Sequence, residues 1–165
     1  MFKDNILSET LKEKMIKLEE YIKHNIPLTN FINFTIKELT YNSIRITAPL
    51  KPNDNHYGTV FGGSLAILGI LAGWGLIHFN MTEENINGTL VIKEGTMKFL
   101  RPALSDFEAI NRSLPTEIWN DFKHEFLEKG RAKIRIKTEL YSKGSLAAVH
   151  EGTYVMLSKP ILENR

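Results

Sequence analysis

The chain has 165 residues, of which 42% are hydrophobic and 24% charged, a composition typical of a globular protein and not of a disordered one. A net charge of +2 is too small to indicate a nucleic-acid partner, and the lack of cysteine excludes disulfides, a thiolate nucleophile and a cysteine-ligated metal. The length suits one domain, which we assign to residues 1–165. The first five residues lack the apolar stretch of a signal peptide, so we expect a cytoplasmic protein.

The first predicted elements are a helix and two strands. Residues 8–24 form an amphipathic helix pattern, with Leu11, Met15, Leu18 and Ile22 at helical spacing. Strands are predicted at 34–39 and 43–50, separated by a short polar turn. The second strand ends in a polar loop that contains two prolines.

Residues 60–79 carry no formal charge when their one histidine is neutral, and by length alone they could span a membrane. The stretch contains five glycines, has no cationic flank and follows the polar sequence Asn53-Asp54-Asn55. A helix that is apolar on every side can instead be buried by protein on every side. We therefore predict a central core helix and no membrane partner.

The rest of the chain indicates an antiparallel sheet with one more helix. Strands are predicted at 89–100, 106–111, 131–141 and 146–157, and a helix at 116–129. The predicted fold class is therefore α+β, with about six antiparallel strands and one buried central helix. Because that helix has no polar stripe, the sheet must curl around it, or a second copy of the chain must cover it.

The start of the central helix has the chemistry of an oxyanion hole. Gly62 and Gly63 are predicted in its first turn, where backbone N–H groups lack intrahelical partners and the helix dipole places roughly half a positive charge. Glycine has no Cβ to keep a ligand carbonyl away from these donors. The same Gly-Gly pair could equally be plain helix capping.

Polar side chains flank this helix start. Asn55 could donate to the same carbonyl oxygen or position a water, but an asparagine in such a loop often shapes an Asx-turn instead. Ser64 and Thr59 supply hydroxyl groups, and His56 supplies a possible base. We treat Asn55, His56, Gly62, Gly63 and Ser64 as candidate catalytic residues.

The pattern Asn-x-x-Gly-x-x-x-Gly-Gly, from Asn55 to Gly63, precedes the apolar helix and a long strand that ends in Arg101-Pro102. This combination resembles the hotdog thioesterase superfamily, and the fuller string resembles the branch found as a domain fused behind an acetyltransferase, as in the C-terminal part of YiiD. The resemblance implies a hotdog fold, in which the sheet wraps around the central helix. It also implies a homodimer or dimer of dimers, with thioester sites at the subunit interface.

The implied substrate is an acyl thioester of coenzyme A or of an acyl carrier protein, which brings its own carrier group, so no cofactor is expected. Within this site Thr59 and Phe61 are candidate substrate contacts. Arg101 could bind a phosphate of coenzyme A or phosphopantetheine, or could instead contact an acidic side chain. No pair of histidines has metal-ligand spacing, so no metal site is expected.

Many enzymes of this superfamily carry an Asp or Glu about two turns into the central helix, whereas residues 68–72 of this chain contain none. Hydrolysis would then need another base, such as Glu94, His56 or a residue of the partner subunit. Glu94 shares the predicted face of Leu90 and Ile92, which would point it toward the central helix; alternatively, it pairs with a lysine at the rim of the sheet.

Three functions therefore stay open. The first is thioester hydrolysis. The second is decarboxylation of malonyl-acyl-carrier-protein at the start of fatty-acid synthesis, which some members of the branch carry out and which needs carbonyl polarisation but no base to make a nucleophile. The third is a non-catalytic module that binds acyl thioesters.

Two further features have a structural and a functional interpretation. The basic row Arg131, Lys133, Arg135 and Lys137 is typical of a solvated sheet face, and could also dock an acidic carrier protein. His150 alternates with small residues on the last strand, which favours a packed histidine over a catalytic one.

Overall fold

The computed structural model describes residues 2–159, with side chains described from Thr10 onward. Within these residues the chain forms five helical segments and six strands. The helices are α1 (Phe2–Asn25), α2 (Thr29–Ile32), α3 (Leu50–Asn53), α4 (Gly62–Glu83) and α5 (Thr116–Lys129). The strands are β1 (Thr35–Leu39), β2 (Ile44–Ala48), β3 (Thr89–Phe99), β4 (Phe107–Asn111), β5 (Arg131–Ser142) and β6 (Ser145–Leu157).

The strands form one antiparallel sheet in the order β1-β2-β4-β5-β6-β3. Alternating burial along β5 fixes which face of the sheet is inside, because successive side chains of a strand point to opposite faces. The apolar residues of β5 are buried, while Arg131, Lys133, Arg135 and Lys137 are exposed. The β5–β6 hairpin turns through Lys143 and Gly144, both at positive φ, as its right-handed twist favours.

Helix α4 lies on the inner face of the sheet and contacts β2, β3, β4, β5 and β6. It is long and apolar enough to cross a membrane, but most of it is buried within the protein, as expected of a core helix. Two of its glycines let the sheet approach closely. A Cβ at Gly69 would lie 2.8 Å from the Cβ of His150, and one at Gly73 would lie 2.5 Å from the Oη of Tyr154.

The strand β3 is an edge strand and contains a β-bulge. Ile92 pairs with Tyr154 of β6, yet Glu94 pairs with Thr153, so the alternation of faces shifts by one residue at Lys93. After the bulge, Gly95, Met97 and Phe99 pair with Gly152, His150 and Ala148, the inward row of β6.

The predicted α+β arrangement of a curled sheet around a buried helix is confirmed. The helix predicted at 116–129 has the bounds of α5, which Pro115 precedes and Gly130 ends at φ +66°. The predicted helix at 8–24 is longer in the structure and begins at Phe2. Neither the one-turn helix α2 nor the segment α3, in which Lys51 and Pro52 have non-helical dihedral angles, is predicted, because four residues give too short a pattern.

Candidate active site

The loop before α4 is fixed at several points. The N–H of Phe61 donates to the carbonyl of Asn53 (2.8 Å), and the N–H of Val60 donates to the carbonyl of Ala103 (2.9 Å). The buried Asn53 side chain donates through Nδ2 to the carbonyls of Ile32 and Pro49. These contacts set the position from which the helix starts.

Asn55 and Thr59 bind each other within this loop. The backbone N–H of Asn55 donates to the carbonyl of Thr59 (2.8 Å), and Asn55 Nδ2 donates to Thr59 Oγ1 (2.9 Å). Asn55 Oδ1 accepts from the N–H groups of Tyr57 (2.9 Å) and Thr59 (3.3 Å). The side chain therefore forms the Asx-turn that the loop sequence allows. Because the amide has two N–H donors, one of them still has no partner among the described residues.

The first turn of α4 leaves two backbone donors free. The N–H groups of Ser64 and Leu65 donate to the carbonyl of Phe61, at 2.9 and 3.2 Å. Those of Gly62 and Gly63 have no acceptor among the described residues, and no side chain caps the helix. Ser64 itself is buried in this turn. The predicted pair of adjacent donors at a helix N-terminus is therefore present.

Two aromatic rings flank these donors. A Cβ at Gly63 would lie 2.3 Å from the ring of Phe61, and one at Gly62 would lie 3.4 Å from the ring of Phe99. Both rings are more than half exposed, at 58%. Glycine at position 63 allows the Phe61 ring to lie directly against the helix backbone, whereas the Phe99 ring would make only an ordinary contact with a Cβ at position 62.

A cavity of about 270 Å³ lies between α4, β3 and β6. It begins one helical turn after Gly62 and is lined by Ala66, Ile70, Ile92, Gly95, Met97 and His150, with the bulge residues Lys93 and Glu94 at β3. Its lining is mainly apolar, so it suits a hydrocarbon chain. Its position suits the acyl group of a thioester whose carbonyl is held at the helix start.

His150 is the polar residue on the sheet side of this cavity. Its side chain is 2% exposed, and neither ring nitrogen has a hydrogen-bond partner among the described residues. Burial lowers the pKa of His150, although the nearby Glu151 acts in the opposite direction. The imidazole is therefore neutral at pH 7.

Glu94 does not lie on the face that its spacing predicts. The bulge at Lys93 pairs Glu94 with Thr153, in the outward row of β6, so the expectation that Glu94 shares the face of Leu90 and Ile92 is wrong. Its side chain is exposed.

The remaining predicted site residues are His56 and Arg101. His56 is exposed, and its ring packs against that of Tyr57 at 3.8 Å between centroids. The exposed Arg101 lines a separate cavity of about 170 Å³ together with Lys143, Ser142 and Ser145. Two cations beside two hydroxyl groups form a surface on which a phosphate could bind. Within residues 10–159, whose side chains the structure describes, no cluster of three or more His, Asp or Glu side chains could hold a metal ion.

Sequence reasoning missed the contribution of Phe99, Met97 and His150 to the site. The alternation of β6 already placed His150 on an inward row, but nothing in the sequence connected that row to a cavity. Met97 and Phe99 face inward only because of the bulge, which has no sequence signal of its own.

Comparison with known proteins adds a family and a set of similar structures. A family model described as "Putative thioesterase (yiiD_Cterm)" matches residues 15–158. A protein of unknown function from Chlorobaculum tepidum is 28% identical with a TM-score of 0.85, and the alignment covers 90% of this chain and 97% of that one. A structure from Shewanella oneidensis, described as a putative thioesterase, is 27% identical with a TM-score of 0.79, over 89% and 99% of the two chains. A Pseudomonas aeruginosa protein at 24% identity and a TM-score of 0.77, over 86% and 94%, shares the fold.

Proposed function

Because the chain belongs to the yiiD C-terminal thioesterase family, with the hotdog fold of that family, we propose that it is an enzyme that processes acyl thioesters at the start of α4. The observation that carries this proposal is the pair of unpaired N–H groups at Gly62 and Gly63, next to a mainly apolar cavity. A thioester carbonyl needs such donors, and an acyl chain needs such a cavity.

In the proposed mechanism the thioester carbonyl oxygen accepts hydrogen bonds from the N–H groups of Gly62 and Gly63. Negative charge develops on this oxygen both when a nucleophile adds to the carbonyl and when an enolate forms beside it. Fixed donors at a helix N-terminus stabilise that charge without having to reorganise. The unpaired N–H of Asn55 is the proposed third donor, held in the loop by Thr59.

Phe61 and Phe99 are proposed to enclose the thioester from both sides. Their rings lie against Gly63 and Gly62, so a bound thioester would displace water from the donors. Excluding water strengthens a hydrogen bond to developing charge, because the local dielectric falls. Outside these walls, Arg101 and Lys143 are the proposed contacts for a phosphate of the carrier group.

Hydrolysis is the reaction that the family description favours, and malonyl decarboxylation is the second candidate. The second is supported by the absence of a carboxylate in residues 68–72 of α4. Decarboxylation breaks the bond between the α-carbon and the carboxylate, releases carbon dioxide and leaves an enolate, which then takes up a proton. That first step needs no base, only donors to the carbonyl oxygen.

The proposal also includes a second copy of the chain. The resemblance to the superfamily implies a homodimer, and the edge of β3 beyond the bulge is exposed on both faces. A partner subunit at this edge would border the cavity, and it could supply the base that hydrolysis needs. The compartment we expect is the cytoplasm.

The test is a substrate panel of acyl-coenzyme A and acyl-carrier-protein thioesters that includes malonyl derivatives. Free carrier thiol would indicate hydrolysis, and an acetyl thioester with carbon dioxide would indicate decarboxylation. Saturable binding without turnover of any substrate would instead indicate a non-catalytic acyl-binding module. A protein that neither binds nor turns over any member of the panel would refute the proposal.

A further inference from the structure

A purely hydrocarbon ligand would not provide hydrogen-bond partners for the ring nitrogens of His150. The imidazole is buried at the cavity, and its two nitrogens lack partners among the described residues. Buried polar groups in folded proteins are almost always hydrogen-bonded, because an unpaired group loses its hydrogen bonds to water on burial and forms none to replace them. An alkyl chain in the cavity would leave both nitrogens unpaired.

The imidazole cannot turn away to find a partner elsewhere, because three glycines hold it closely. A Cβ at Gly69 would lie 2.8 Å from the Cβ of His150, and one at Gly152 would lie 2.8 Å from its Cε1. A Cβ at Gly95 would lie 3.0 Å from Nε2. The backbones of α4, β3 and β6 thus confine the ring, so a hydrogen-bond partner has to come to it.

We propose that His150 binds an oxygen function, a hydroxyl or a carbonyl group, on the acyl chain of the thioester substrate. This inference rests on the proposed function and specifies the substrate class of the same site. A neutral imidazole offers one donor and one acceptor, which a hydroxyl can pair with in either direction. A carboxylate fits less well beside the apolar Ile70, Ile92 and Met97, since Lys93, the cation in the cavity lining, is itself exposed to solvent.

The structure also indicates how many carbons separate this oxygen from the thioester carbonyl. Gly69, which contacts His150, follows Gly62 by seven residues, and α-helical rise makes this ~10 Å along α4. An extended chain advances less than its ~1.5 Å C–C bond length at each carbon, so about eight carbons cover that distance. A malonyl group is too short to reach from the helix start to His150.

The experiment compares two coenzyme A analogues, octanoyl and 8-hydroxyoctanoyl, in which a methylene between sulfur and carbonyl prevents hydrolysis. Calorimetry gives their affinities for the full chain, and long-range ¹H–¹⁵N spectra follow the His150 nitrogens. We expect the hydroxylated analogue to bind about 5- to 10-fold more tightly, since a neutral hydrogen bond contributes about that factor. We also expect it alone to shift the His150 nitrogen resonances.

Three variants test whether His150 causes this difference in affinity between the two analogues. His150→Leu should bind both analogues equally, whereas His150→Gln, which keeps a donor and an acceptor, should retain part of the preference. His78→Gln is the matched control, because burial also lowers the pKa of His78, a half-buried histidine that lies outside the cavity. It should behave like the parent protein.

Equal binding of the two analogues by the parent protein would overturn this inference and leave the proposed function standing. The same conclusion would follow if the His150 nitrogens shifted with protein concentration but not with either analogue, since a second copy would then supply the partner. Failure of both analogues to bind would overturn the proposed function, and this inference with it.

Discussion

The side chain of Asn55 has two possible roles, and its contacts separate them. Its Oδ1 accepts two backbone N–H groups and shapes the loop, whereas Nδ2 donates to Thr59 and keeps one free N–H. The conformation of the loop therefore depends on Oδ1, and the proposed hydrogen bond to the substrate depends on Nδ2.

Asn55→Asp should retain the loop and abolish most of the activity, because the carboxylate still accepts from Tyr57 and Thr59 but cannot donate. We expect kcat to fall by about 10²–10³, the usual effect of losing one oxyanion donor. Thr59→Val is the matched control, since it removes only the Oγ1 contact of Asn55 and should reduce kcat by less than about 10-fold. Steady-state kinetics on the best substrate of the panel would show this, and unchanged rates for Asn55→Asp would argue against the free N–H as a donor.

The burial of His150 leads us to predict how the free energy of unfolding depends on pH. Burial lowers the pKa of His150, so below the ordinary histidine value of ~6.5 the unfolded chain binds a proton that the folded chain does not. The free energy of unfolding must therefore fall as the pH drops through that value. Urea unfolding between pH ~7.5 and ~5.5 should show this loss, and His150→Gln should reduce it. An unchanged pH dependence in the variant would mean that His150 takes up its proton in the folded state.

Among the elements, α4 shows what a local sequence pattern can predict about the fold. Its uncharged, glycine-containing stretch predicted a core helix starting near Gly62, and the hydrophobic alternation of β5 predicted the inward row of that strand. The position of Glu94 could not be predicted in the same way. The bulge at Lys93 depends on how β3 pairs with β6, and pairing is a tertiary property that no local pattern encodes. The cavity was missed for the same reason, because three separate elements form it.

The glycines of α4 differ in what they permit, and this gives a matched pair of substitutions. Gly73→Ala should destabilise the fold by about 1–3 kcal/mol, since its Cβ would lie 2.5 Å from the buried Tyr154, whose Oη donates to the carbonyl of Ile70. Gly75→Ala places its Cβ 3.5 Å from Ile44, an ordinary contact, and replaces glycine by a better helix former. We expect Gly75→Ala to be neutral or stabilising. Chemical denaturation of both variants measures the difference, and equal midpoints would contradict the close approach of sheet and helix.

For the whole molecule, the exposed apolar side chains near the helix start are the notable feature. Phe61, Phe99, Leu100 and Leu104 are each more than half exposed. Phe99 is the last residue of the edge strand β3, Leu100 follows it, and Leu104 lines a cavity with Arg101 just beyond the strand. An unpaired strand edge beside an apolar surface favours association with another chain. This agrees with the homodimer that we propose.

The dimer should be visible in solution, and a charge on this surface should weaken it. We expect light scattering to give twice the chain mass, and Leu104→Glu to raise the dissociation constant at least about 10-fold, as burial of an unpaired charge would. Leu127→Glu introduces the same charge at another exposed leucine, on α5, which packs against β5, and should leave the mass unchanged. A monomeric parent protein, or equal effects of both variants, would place any association elsewhere.

The bulge in β3 exchanges the two sets of alternate side chains between the two faces of the strand. Before Lys93 one set of alternate residues faces the helix; after it, the other set does. Deletion of Lys93 would remove the bulge and still keep Met97 and Phe99 at the site, because Glu94 would then follow Ile92 directly and stay outward. Deletion of Lys93 should therefore be better tolerated than deletion of Thr96, which would move Met97 and Phe99 to the opposite face of β3.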